Sequence, residues 1–94
     1  MWCLQDETLL IHFISLAADE PKLTVRVRPT TRVDRGFQLA VDHFAKQAPW
    51  TVSIEDIRVI HGDTMTRVRI DQTFQEIDAE DGDELILIPA QVGD

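Results

Sequence analysis

Apolar and polar residues alternate along an early stretch of the chain, residues 23–30 (LTVRVRPT). One side carries Leu23, Val25 and Val27, and the other carries Thr24, Arg26 and Arg28. This period of two is typical of a strand with one buried face, and Pro29 ends it. Residues 8–15 (TLLIHFIS) mix β-branched and aromatic residues and predict an earlier strand. A break around Pro21 separates the two stretches, so we expect an antiparallel hairpin.

The period then changes from two to that of a helix. Val33, Phe37, Ala40 and Phe44 fall on one helical face. Thr31 is a suitable N-cap residue, and Asp34 favours the positive end of a helix. Gly36 weakens a helix by about 1 kcal/mol relative to alanine. We therefore predict one amphipathic helix that ends by about Gln47, before Pro49.

The second half of the chain is again strand-like. It contains three short apolar runs, at residues 57–60, 66–70 and 84–88, with Pro89 preventing extension of the last. Residues 72–78 predict one helical turn. The resulting order, β-β-α-β-β-β, predicts an α+β domain of the β-grasp type in which the last strand pairs in parallel beside the first. We expect an N-terminal extension over residues 1–8, the domain over 9–88 and a tail over 89–94.

Charge and composition exclude some functions. The chain has 94 residues, 9 basic and 17 acidic, for a net charge of −8. This charge argues against binding to nucleic acid or to an anionic membrane, both of which attract basic patches. With Cys3 as its single cysteine, the chain has no internal disulfide. Its N-terminus is a poor secretory signal, so we expect a reducing location, cytoplasmic or, in a eukaryote, nuclear.

The residues that could carry chemistry are scattered. His12, His43 and His61 fall on three different predicted elements and lack the spacing of metal ligands. The acidic stretch before Gly82 lacks the alternating oxygen ligands of a calcium loop. We expect a protein that acts by binding, with no enzyme activity, metal or cofactor.

Several stretches resemble the ubiquitin-like proteins, and SUMO most of all. LTVRVRPTTRVDRGF resembles the second strand and helix start of SUMO, and IRVIHGD resembles its third strand and hairpin. FQEIDAEDGDELILI resembles the SUMO stretch in which a short helix leads to an acidic turn and the last strand. The resemblance covers residues 9–94 and implies a ubiquitin-like fold that binds other proteins.

The first site that this resemblance implies is a groove between the second strand and the helix. Its residues match SUMO positions that hold a short apolar peptide with an acidic flank as an added strand: Val25, Arg26, Val27, Arg28 and Arg35. An edge strand offers free backbone groups, and basic residues favour an acidic flank. Gly36 stands where the family has a leucine, which would remove one wall of the groove. The alternative is an ordinary solvated hairpin edge.

Two further surfaces are candidates for docking. If Ile57, Val59, Leu85 and Leu87 face the core, an apolar patch of Ile60, Ile86 and Ile88 lies on the opposite sheet face, where ubiquitin keeps its main docking patch. The alternative is that this face is covered. The acidic residues Glu80, Asp81 and Asp83 could dock a basic surface, as the acidic face of SUMO does, or could form a solvated turn.

The tail bears on conjugation. Gly93 matches the family, but Asp94 stands where the family has its terminal glycine, so we expect a SUMO-like module that is not conjugated. The closing DGDELILI also resembles two bacterial groups without the double glycine: the ubiquitin-like protein of type VII secretion systems and the small β-grasp subunit of multicomponent monooxygenases. An accessory subunit of a bacterial machine is therefore the alternative.

Overall fold

The computed structural model describes residues 8–15, 20–47, 50 and 53–89, where one α-helix packs on a five-stranded mixed sheet. The elements are β1 (Leu9–Ile14), β2 (Lys22–Val27), α1 (Val33–Ala45), a 3₁₀ turn (Ile54–Asp56), β3 (Ile57–His61), β4 (Thr66–Val68) and β5 (Glu84–Pro89). This is the ubiquitin-like β-grasp fold, as the element order predicts. None of the described helices is long and apolar enough to cross a membrane.

The last strand lies at the centre of the sheet, whose order is β2-β1-β5-β3-β4. β5 pairs in parallel with β1, with Phe13 beside Leu85, and antiparallel with β3, with Val59 beside Leu87. The helix crossover makes the parallel pairing possible because it returns the chain to the same end of the sheet. The predicted central position of the last strand is confirmed, and β2 and β4 form the two edges.

The sheet has one face against the helix and one face away from it. The helix-facing side of β3 and β5 carries Ile57, Val59, Leu85 and Leu87, all buried, together with Phe13 from β1. Three phenylalanines complete this core, Phe37 and Phe44 from α1 and Phe74 from the later turn. The predicted orientation of the four strand residues is thus confirmed, because side chains alternate along each strand.

The helix begins differently from the prediction. Arg32, not Thr31, is the N-cap residue, and its side chain makes no capping hydrogen bond. Instead the backbone N–H groups of Val33 and Asp34 donate to the carbonyl oxygens of Gln72 and Ile70, 2.8 and 2.9 Å away. The first turn of a helix has unsatisfied N–H groups, and here another part of the backbone satisfies two of them. A side-chain cap is therefore unnecessary.

The strand ends also differ. β2 stops at Val27, because the chain turns back and Thr31 N–H donates to the Arg28 carbonyl. β4 stops at Val68 rather than continuing to residue 70, because the following residues cap the helix instead. β5 includes Pro89, which pairs with Ile57 at the strand end. The helix ends at Ala45, in agreement with the predicted end by about Gln47.

Residues 73–79 form a single helical turn with both ends capped. Thr73 and Glu76 exchange hydrogen bonds between side chain and backbone, at 2.8 and 3.1 Å, which is a capping box. At the other end Asp78 has a φ of 57°, and the Ala79 N–H donates to the Phe74 carbonyl. This pattern matches a Schellman ending. The caps hold Phe74 in the core, between the acidic turn and the start of the helix.

Candidate peptide-binding groove and neighbouring surfaces

A groove of about 420 Å³ runs between the edge strand β2 and the helix. All five residues that the sequence predicts for this site line it: Val25, Arg26, Val27, Arg28 and Arg35. β2 pairs only with β1, so its outer edge has no strand neighbour among the described residues. Its backbone on that side can pair with an added strand, which is how many peptide-binding domains hold an extended ligand.

The polar rim of the groove is basic. Arg26, Arg28 and Arg35 are exposed, and none forms a salt bridge with any residue in the described ranges. Val25 and Val27 lie on the helix-facing side of β2 and provide apolar surface beside these charges. Arg28 lies just beyond the end of β2 rather than within the strand, yet it stays on the groove. The arrangement suits an apolar segment flanked by carboxylates.

The helix side of the groove carries Gly36 and Leu39. Gly36 is buried, and a Cβ built on it would lie 2.9 Å from Cζ of Phe13 and 3.4 Å from Cζ of Phe74. The glycine therefore permits a close approach of the helix to two core rings. Leu39, one turn later, is 57% exposed and supplies an apolar wall. Leu39 was not predicted as a groove residue, although a large apolar residue off the core face of the helix is a detectable signal.

The outer face of the sheet carries the predicted isoleucine patch. Ile60 and Ile86 pair directly across β3 and β5, and Ile14 on β1 is the neighbour of Ile86 on its other side. These three residues are half-buried, whereas Ile88 is 42% exposed. Arg58 lies beside Ile88 and Arg67 beside Ile60, so basic residues border the patch. Its role in docking stays a prediction.

The acidic turn is largely engaged in bonds within the chain. A side-chain oxygen of Asp81 accepts a hydrogen bond from the Leu10 N–H at 2.7 Å, and Leu10 in turn accepts one from Gly82. Asp83 accepts one from the Glu80 N–H at 2.8 Å. Of these three acidic residues, Glu80 alone has a carboxylate without a bond to another described residue, and it is exposed. Docking through this turn stays a prediction, and Asp81 and Asp83 have structural partners that the sequence did not indicate.

Asp83 also contacts His61, and this pair was not foreseen. Nε2 of His61 lies 2.8 Å from Oδ2 of Asp83, and Nδ1 lies 3.2 Å from the Thr64 hydroxyl. A carboxylate can only accept, so Nε2 of His61 donates to Asp83. His61 is 8% exposed. The cluster ties the β3–β4 turn to the acidic turn, and no spacing in the sequence marks it.

A second cleft, of about 720 Å³, lies at the opposite edge of the sheet, along β3 and β4. Arg58, Arg67 and Arg69 line it. Arg69 forms a two-pronged contact with Asp71, at 2.8 and 3.2 Å. The side-chain hydrogen bond from Arg69 holds the pKa of Asp71 below its ordinary value of 3.8. We call this site the β4 cleft.

Among the remaining residues, one packs against the core and three lie outside the described ranges. Trp50 packs against the core, and its indole N–H donates to the Val41 carbonyl at 3.1 Å. Cys3 and the tail residues Gly93 and Asp94 lie outside the described residues. Within the described part of the chain, no three histidine, cysteine, aspartate or glutamate residues come together in a way that could hold a metal ion.

The fold is shared with solved ubiquitin-like structures. Ubiquitin from Caldiarchaeum subterraneum superposes with a TM-score of 0.69 and 17% sequence identity, covering 94% of this chain and 100% of that one. The ubiquitin-like domain of Dsk2 from Plasmodium falciparum gives 0.66 and 14%, covering 89% and 100%. A designed protein based on ubiquitin gives 0.62 and 22%, covering 92% and 93%.

Sequence comparison adds no closer relationship. No protein-family model matches the chain, and no curated protein matches it. At identities of 14% to 22%, the structural likeness establishes the ubiquitin-like fold and not a particular function.

Proposed function

We propose that this chain is a ubiquitin-like interaction module, SUMO-like in its mode of binding, that holds a short apolar peptide with an acidic flank as an added strand along β2. The observation that carries the proposal is the groove itself. Five residues chosen from the sequence for this role line one groove at an open sheet edge. The module acts by binding and not by catalysis.

The chemistry of the groove favours this ligand over a neutral peptide. Three exposed arginines without described salt-bridge partners surround an apolar strip in a chain of net charge −8. Approach of a carboxylate to such a rim is favoured by long-range attraction, which salt weakens. The apolar residues of the ligand would contact Val25, Val27 and Leu39. Leu39 supplies the apolar wall on the helix side of the groove, because a side chain at Gly36 would point towards the core rings of Phe13 and Phe74.

The test is the affinity of a labelled peptide with four consecutive apolar residues followed by glutamates. Reversal of Arg26 and Arg28 to glutamate should weaken binding at low salt by about 1–2 kcal/mol in total, a factor of roughly 5–30 in Kd. The loss should shrink at high salt. Lys46→Glu, an exposed charge reversal at the helix C-cap and outside the groove, is the control for the effect of one reversed charge. Equal effects of the two changes would contradict the proposal.

The outer sheet face favours a second candidate, an accessory subunit that docks on a larger bacterial assembly. Ile14, Ile86 and Ile60 lie side by side on three adjacent strands, with Ile88 exposed beside them. A continuous apolar row of this kind is a common feature of protein interfaces. Replacing Ile88 with aspartate should then abolish copurification with the larger subunit while leaving peptide binding in the groove unchanged.

A further inference from the structure

The β4 cleft exists because the chain leaves the sheet early. β5 pairs with β3 along residues 57–61, but β4 pairs only with residues 59–61. The residues after β4 are drawn away, since the carbonyls of Ile70 and Gln72 accept hydrogen bonds from the start of the helix. Among the described residues, Ile57 and Arg58 therefore have a strand neighbour on the β5 side only. The cleft opens at this gap.

The lining of the cleft is apolar at its base, and its rim carries three arginines and two acidic residues, Glu55 and Asp71, of which Asp71 is engaged by Arg69. Ile57, Val59 and Val68 are buried at the base, and Ile70 is 36% exposed. Arg58 and Arg67 form no salt bridge with any residue that the structure describes. Six of the nine basic residues of the chain line either this cleft or the groove beside β2. In a chain with 17 acidic residues, the positive charge is thus concentrated at the two sheet edges.

We propose that the β4 cleft is a second binding site, which takes an extended acidic segment of a partner protein. Carboxylates of the segment would contact Arg58 and Arg67, and an apolar side chain between them would contact Ile70. The backbone of the segment would run beside Ile57 and Arg58, where no other described strand pairs with β3 on this side. The site shares no residue with the groove beside β2 and goes beyond the function proposed above.

The chemistry of the chain's own acidic turn makes a second copy a poor occupant. Asp81 and Asp83 already accept hydrogen bonds from Leu10 and from Glu80, and Asp83 also contacts His61. The turn is compact, with Gly82 at a φ of 89°. An extended segment with free carboxylates matches the open stretch of β3 better, because strand pairing requires extended backbone. The partner is therefore another protein.

The test uses the full chain, labelled with ¹⁵N, and a synthetic eight-residue peptide of alternating valine and glutamate. We expect amide signals of residues 57–59 and 67–71 to shift, with weaker or no shifts for a peptide with glutamine in place of glutamate. The variant Arg58→Glu with Arg67→Glu should weaken this binding about tenfold at low salt, since rim charges govern such encounters. Arg26→Glu with Arg28→Glu should leave the shifts at the cleft unchanged.

A second variant is expected to strengthen binding. Asp71→Asn removes the carboxylate that engages Arg69 and leaves that guanidinium free for the peptide, which should raise affinity about twofold. Arg58, Arg67 and Asp71 are all exposed, so these substitutions should leave the fold intact. Unchanged amide signals outside the cleft would verify this. The proposal is overturned if shifts occur only along β2 and the helix. It is also overturned if Arg58→Glu with Arg67→Glu binds as tightly as the parent, or if the shifts follow chain concentration without peptide.

Discussion

Nε2 of His61 lies 2.8 Å from a carboxylate oxygen of Asp83, at the end of the sheet where β3 finishes and β5 begins. Both side chains are largely shielded from water, at 10% and 15% exposure. The same Asp83 oxygen accepts the Glu80 N–H, and the Asp83 carbonyl accepts the His12 N–H at 2.9 Å. One residue thus links β1, β3 and the acidic turn.

Asp83→Ala should destabilise the fold chiefly because it leaves the largely buried His61 ring without an acceptor, whereas the exposed Glu80 N–H can bond to water. Loss of a partner from a buried hydrogen bond costs about 1–3 kcal/mol. Denaturant unfolding measures the change in the free energy of unfolding. Asp63→Ala, an exposed change in the neighbouring turn, is the control and should stay within about 0.5 kcal/mol. Similar small changes in the free energy of unfolding at both positions would mean that the His61–Asp83 contact does not stabilise the fold.

Gly36→Ala should destabilise the chain, although alanine is the better helix former. The propensity gain is about 1 kcal/mol. Against it, the new Cβ would lie 2.9 Å from a carbon of the fully buried Phe13 ring, and overpacking of this kind costs about 1–3 kcal/mol. Thermal or denaturant unfolding would show whether the free energy of unfolding rises or falls. Leu39→Ala, at an exposed position of the same helix, is the control and should change stability little. A Gly36→Ala variant that is more stable than the parent would show that the glycine is not needed for the close approach.

These two sites mark the limit of what the sequence predicts. The strand and helix periods predict the elements and the central position of β5, because side-chain alternation reports burial directly. They do not predict that Phe13 packs against Gly36 or that His61 contacts Asp83, because the two members of each pair lie far apart in the sequence. The start of the helix is a similar case. Thr31 has the chemistry of an N-cap, but the carbonyls of a distant segment already occupy that role.

The groove beside β2 was easier to predict from the sequence than the contacts of Phe13 with Gly36 and of His61 with Asp83. The resemblance to SUMO indicated the groove residues, and alternation places Val25 and Val27 on one face of one strand. The end of β2 was misjudged because Arg28 continues the pattern of polar residues into the turn. The capping box at Thr73 and Glu76 had a visible signal, a threonine followed three residues later by a glutamate. No signal in the sequence marked the β4 cleft, because the cleft depends on where the chain leaves the sheet.

The two faces of β5 should differ in their tolerance to substitution. Leu85→Ala or Leu87→Ala should lower the free energy of unfolding by about 2–5 kcal/mol, since both side chains are buried in the core. Ile88→Thr should stay within about 0.5 kcal/mol because the residue is exposed. Ile86 is half-buried between Ile14 and Ile60, so its replacement should lower the free energy of unfolding by an intermediate amount. Equal large losses at Leu87 and Ile88 would show that the outer face is covered as well.

The Arg69–Asp71 contact should be visible in a pH titration. The pKa of Asp71 lies below 3.8 in the folded chain because Arg69 stabilises the ionised form. The contact therefore stabilises the fold above the ordinary pKa, and this contribution is lost as the pH falls through the lowered pKa. Carboxyl ¹³C shifts would follow the titration. Arg69→Gln should move the midpoint back towards 3.8, and a parent midpoint at or above that value would contradict the contact in solution.

The central claim, that the groove beside β2 binds an apolar peptide with an acidic flank, is tested most directly by mapping the bound peptide on the labelled chain. Amide shifts are expected along residues 23–28 and at Arg35 and Leu39, and they should grow with peptide concentration to saturation. Antiparallel or parallel strand addition would also slow hydrogen exchange of amides on the open edge of β2. Shifts confined to the outer sheet face, at Ile14, Ile60, Ile86 and Ile88, would contradict the claim.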